Sequence, residues 1–86
     1  PPMGERTIPF FSTETGDELG RVSPEELTFL KEKLEEEELE DVDYWFDEDC
    51  VDFLEEEEGS PTELVKLLRD LIAGKEGVEL RFGSKP

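Results

Sequence analysis

Asp47, Asp49 and Glu58 occupy the first, third and twelfth places of a twelve-residue window, a spacing at which calcium loops hold oxygen ligands. Such a loop also needs an oxygen ligand at its fifth place and a glycine at its sixth. This chain has Val51 and Asp52 there, inside an apolar pattern of helical period. The carboxylates of this window therefore read as a solvated acidic face, as do the runs Glu35-Glu36-Glu37-Glu38 and Glu55-Glu56-Glu57-Glu58. No metal or other cofactor is expected.

Two further chemistries can be weighed on residue type. Paired carboxylates serve as acid and base when burial or a like-charged neighbour separates their pKa values, but 26 acidic residues offer no distinguished pair. Cys50 is the single cysteine, and it stands beside Glu48, Asp49 and Asp52, which oppose thiolate formation. An inert, half-buried thiol is the expectation. Histidine is absent, which removes Cys–His and Ser–His pairs and Cys/His zinc sets, and the seven glycines stand singly rather than in a phosphate-binding loop. The chain is expected not to be an enzyme.

Tyr44-Trp45-Phe46 is the one aromatic cluster, set between acidic runs and just before a helical pattern. The preferred reading has Tyr44 and Phe46 stapling that helix while Trp45 fills the core edge. The alternative leaves at least one aromatic exposed beside carboxylates, as a recognition surface for a basic partner would have it. In that case the contact residues are Tyr44, Trp45, Asp47, Glu48, Asp49, Asp52, Glu55 and Glu56.

Charge sets the partner classes. Nine Lys and Arg against 26 Asp and Glu give a formal charge of −17, so direct binding to nucleic acid phosphates is excluded and a basic protein surface is favoured. Two alternatives remain open. The carboxylates could mimic nucleic acid phosphates on a DNA- or RNA-binding protein, or the charge could serve solubility without any dedicated partner. No apolar run is long enough to span a membrane and no secretion signal is visible, which with the lone cysteine points to a cytoplasmic protein.

The elements that must position these residues follow from periodicity. At 34% hydrophobic and 41% charged residues the 86-residue chain leans toward disorder by composition, but its apolar residues recur at strand and helix spacing. Thr7–Ser12 and Glu18–Val22 read as a hairpin around Gly16. Pro9 cannot donate to a ladder, so the first strand is expected at a sheet edge or Pro9 at that strand's first paired position. Ser23-Pro24-Glu25-Glu26 is a capping box opening a helix with Leu27, Leu30 and Leu34 on one stripe, fraying at Glu35–Glu38 and anchored beyond by Leu39 and Val42. Asp47 caps a short second helix carrying Cys50, Val51, Phe53 and Leu54. Ser60-Pro61-Thr62-Glu63 repeats the capping logic for a third helix, with Leu64, Leu67, Leu68, Leu71 and Ile72. Val78–Phe82 alternates as a half-buried strand. The expected fold is α+β, in the order β-β-α-α-α-β, with the hairpin and the C-terminal strand forming a small sheet against about three helices. One acidic domain should span residues 3–82, with residues 1–2 and 83–86 as expression-derived or disordered ends.

Ile8-Pro9-Phe10-Phe11, Thr15-Gly16, Gly20-x-Val22-Ser23, Asp43-Tyr44-Trp45 and Gly77-Val78-Glu79-Leu80-Arg81-Phe82 together resemble a group of small bacterial proteins of unassigned function. The resemblance covers nearly the whole chain. It implies a stand-alone domain and carries no catalytic or binding residue with it.

Overall fold

Four antiparallel strands and three helices make up the fold, described here for residues 5–86 by a computed structural model. Along the chain they are β1 (Ile8–Ser12), β2 (Glu18–Val22), α1 (Pro24–Lys33), β3 (Asp43–Asp47), α2 (Glu48–Glu56), α3 (Thr62–Ile72) and β4 (Gly77–Phe82). The architecture is α+β, with the N-terminal hairpin and the C-terminal strand in one sheet of order β2-β1-β4-β3. Residues 1–2, expected to lie outside the fold, fall outside the described residues.

The hairpin closes where Gly16 takes φ 79° and donates its N–H to the Ser12 carbonyl at 2.8 Å. Its register slips by one residue at Phe10/Phe11, pairing Phe10 with Gly20 and Phe11 with Glu18. Leu19 is the extra residue of a bulge. β1 is an interior strand, flanked by β2 and β4, so the edge-strand expectation for Pro9 does not hold. Pro9 is accommodated at the start of the β1–β4 ladder, just before the Phe10–Phe82 pair, where its carbonyl accepts the Gly83 N–H at 2.8 Å. Gly83 thus extends the pairing of β4 with β1 by one bond, and the Ser84 hydroxyl bonds the Asp41 carboxylate.

Helix α1 starts as its sequence demands. Ser23 Oγ accepts the Glu26 N–H at 3.1 Å and Glu26 Oε1 accepts the Ser23 N–H at 2.8 Å, closing the capping box. The helix stops cleanly instead of fraying. Glu35 adopts φ 56°, Glu35 N–H bonds the Glu32 carbonyl, and Glu36 N–H reaches back to Lys31 O at 2.9 Å, the paired bonds of a Schellman motif without its usual glycine. Beyond it Leu39 is fully buried, but Val42 is exposed and anchors nothing.

The segment Asp43–Asp47 is a strand, not merely the lead-in to α2, and it supplies the fourth member of the sheet. α2 is capped by Asp47, whose Oδ1 accepts the Cys50 N–H at 2.9 Å. α3 departs from its expected cap: Pro61 is the N-cap residue, no side chain bonds the first amides, and Ser60 Oγ is buried without a partner. Its apolar stripe nevertheless packs as the spacing requires, with Leu64, Val65, Leu68 and Ile72 buried.

The helices cover one face of the sheet, and the core lies between. Phe10, Phe46, Leu80 and Phe82 point inward from the strands and meet Leu30, Leu54, Leu64 and Leu68. Phe82 sits at the centre, its ring 5.5 Å from that of Phe10 and 6.1 Å from that of Phe46. The alternate residues of the same strands, among them Phe11, Trp45, Glu79 and Arg81, lie on the other face. Glu26 is the one buried charged residue among the described residues, and the Arg6 guanidinium holds both its carboxylate oxygens at 3.0 and 2.6 Å.

Candidate functional site

Strand period decides what each residue of the aromatic cluster does. Phe46 is fully buried, Tyr44 is half-buried on the same side with its ring 5.1 Å from that of Phe46, and Trp45 between them must point to the opposite face. Trp45 is 49% exposed. The preferred sequence reading, with Trp45 filling the core edge, is corrected here, because that reading took the segment as a helix lead-in and not as a strand with alternating faces.

Two contacts hold the indole in place. Its Nε1–H donates to Asp47 Oδ2 at 3.3 Å, while the other oxygen of the same carboxylate caps α2. Its six-membered ring lies against Gly77, where an added Cβ would come within 2.5 Å of Cζ2. Across the ladder it is paired with Glu79. Glu79 is in turn fixed by the Thr13 hydroxyl, which donates to Oε1 at 2.6 Å. Trp45 thus forms one wall of a concavity of about 640 Å³, to which Thr13, Glu14, Lys75, Gly77 and Glu79 contribute. The charged residues of its lining are Glu14, Glu76 and Glu79 against Lys75, a net negative balance beside an apolar plane that suits a cationic side chain.

The eight residues expected at a contact surface do not form one patch. Trp45 and Asp47 are joined directly, and Glu48, Asp49 and Glu56 are exposed on α2. Asp52 and Glu55 are engaged elsewhere, since both accept from Arg69 Nη2 on α3 at 2.7 and 2.6 Å. Those hydrogen bonds, reinforced by the two negative charges, raise the Arg69 pKa. Arg69 borders a second, smaller hollow of about 310 Å³ with Lys66, Asp70 and the unpartnered Ser60. Tyr44 faces the helices, where burial first, and then the nearby Cys50 and Glu36, push its pKa up.

Cys50 is half-buried behind the Asp47 cap. Burial raises its pKa and the Asp47 charge adds to that, while a hydrogen bond from the Asp47 backbone to the thiol opposes them. Phe53, expected on the apolar side of α2, is instead 47% exposed. Among the described residues, no three acidic or thiol side chains converge as a metal-binding group.

Thr13, Glu14, Lys75, Gly77 and Glu79 were not singled out as site residues from the sequence. The signal that could have led to them is the alternation in Asp43-Tyr44-Trp45-Phe46-Asp47, which places polar ends and Trp45 on one side and Tyr44 and Phe46 on the other. No protein-family model matches this chain, and neither the curated proteins nor the solved structures searched contain a match. No helix among the described residues is long and apolar enough to cross a membrane.

Proposed function

We propose that this domain is a non-enzymatic interaction module that takes up a basic protein segment, with Trp45 as its anchor. The observation that carries the reading is the half-exposed indole, held in a fixed orientation by Asp47 and Gly77 as one wall of a concavity whose charged lining is net negative. A large aromatic left in water without a structural need is the kind of residue on which binding energy concentrates. The formal charge of −17 supplies long-range steering toward a positive surface.

The test is capture of basic proteins from a bacterial lysate by immobilised protein, followed by competition with duplex DNA. Trp45→Ala should weaken capture by more than about 1 kcal/mol while leaving thermal unfolding near normal. Glu56→Ala, at an exposed rim position, should cost well under about 1 kcal/mol. Capture that is indifferent to Trp45→Ala overturns the anchor. Release of DNA from the captured proteins in proportion to added domain overturns the reading in favour of nucleic acid mimicry.

A further inference from the structure

β3 is a terminal strand of the sheet, hydrogen-bonded to β4 on one side only. On its other side the backbone of Asp43–Phe46 bonds to no other segment among the described residues. An open edge of this kind is a template for another strand. The far edge, β2, is open as well, but its outward residues are Glu18 and Arg21, an ion pair at 3.4 Å that presents no net charge and no exposed aromatic. β3 differs in both respects.

The side chains that β3 turns to the uncovered face are Asp43, Trp45 and Asp47, at alternate positions. A strand added beside β3 places its residues i, i+2 and i+4 next to these three, whether it runs parallel or antiparallel. The complementary pattern is a cation, an apolar residue and a cation. Arg81 of β4 already flanks Asp43 from within, with Nη1 3.6 Å from Oδ1, so a lysine on the outer side would complete an alternating row. The central apolar residue would lie along the indole.

A second copy of this chain does not fit the same place. Its own β3 would bring Asp43 and Asp47 against Asp43 and Asp47 and set two bodies of formal charge −17 side by side. The edge therefore discriminates by charge, closed to itself and open to a basic strand.

We propose that β3 recognises its partner by strand addition, pairing its free edge with an extended segment of the pattern Lys/Arg-x-apolar-x-Lys/Arg. This rests on the interaction-module reading and specifies the partner's chemistry and conformation. Backbone bonds would supply the pairing and the two cations its selectivity.

The probe is the blocked heptapeptide Thr-Lys-Val-Phe-Val-Lys-Thr, followed through the fluorescence of Trp45, the only tryptophan. Two further peptides carry the same sequence N-methylated on alternate residues, one set in each. In a paired strand only one set of amides faces β3, so one methylated peptide should bind about tenfold or more weakly and the other within about twofold of the parent. A permuted peptide with adjacent lysines should also bind several-fold more weakly than the parent.

Equal binding by both methylated peptides and the parent would overturn strand addition while leaving an acidic interaction module intact. Equal binding by the permuted peptide would overturn the lysine spacing. No binding by the parent would overturn the proposed segment. In each case capture of basic proteins that depends on Trp45 decides the broader reading separately.

Discussion

Gly77→Ala tests the construction of the Trp45 site most directly, because Gly77 shows no left-handed backbone and its requirement is purely one of space. An alanine Cβ would lie 2.5 Å from Trp45 Cζ2, 2.8 Å from Cε2 and 2.6 Å from the Phe46 carbonyl oxygen. Ordinary contact begins near 3.4 Å, so the indole must retreat by about 0.9 Å. Trp45 can do so by swinging into solvent, which breaks its Asp47 hydrogen bond. The Phe46 carbonyl is backbone and can yield only by distorting the Phe46–Val78 and Asp47–Gly77 pairs at the end of the ladder. Overpacking of this kind costs about 1–3 kcal/mol. For a domain of this size each kcal/mol moves the melting temperature by roughly 4–8 °C, giving an expected fall of roughly 5–20 °C. The assay is thermal unfolding by circular dichroism with emission from Trp45 recorded in parallel, and the emission maximum should shift to the red. In a Trp45→Ala background the same substitution should cost less, leaving only the carbonyl clash. A Gly77→Ala protein that melts within about 2 °C of the parent with unchanged emission would refute the reasoning.

Three other perturbations follow from named contacts. Glu26→Gln should destabilise the protein by about 1.5–3 kcal/mol at pH 7, because the buried carboxylate that holds Arg6 becomes an amide. Burial alone would raise the Glu26 pKa, but the Arg6 hydrogen bonds and the Ser23 amide outweigh it and the net shift is downward. A depressed carboxyl contributes stability above its unfolded pKa and loses it as pH falls through the folded value, so the gap between parent and variant should close below about pH 5. A gap that stays constant into strong acid in denaturant titrations would contradict this. Among the described residues six of the nine cations sit in ion pairs and most carboxylates have no positive partner, so added salt should raise the melting temperature up to about 0.5 M; a flat profile would show that self-repulsion is negligible. Cys50 should react with a disulfide reagent more slowly in the native protein than in denaturant, and faster native labelling would contradict the raised thiol pKa.

What the sequence determined by itself is local. Ser23-Pro24-Glu25-Glu26 specifies its own capping box because all the bonding groups lie within four residues, and Asp47 caps α2 for the same reason. The apolar spacing of α3 and β4 names their buried faces, since helix and strand periods are properties of the chain. These pieces were enough to give an α+β fold with the terminal strand in the hairpin's sheet. Four things waited for tertiary structure. Pro9 sits in an interior strand because β4 arrives beside it from the far end of the chain and leaves its missing N–H just outside the Phe10–Phe82 pair. Ser60 yields its capping role to Pro61 although its sequence repeats that of Ser23, because Pro61 takes extended backbone at ψ 114° and the helix begins one residue later, at Thr62. Trp45 faces solvent because Asp43–Asp47 finds a partner in β4, and that pairing imposes a period of two on residues whose own sequence was equally open to a helix lead-in. The concavity beside it joins the hairpin turn, the α3–β4 turn and β3, segments more than 60 residues apart at their extremes, and no local pattern encodes such a meeting.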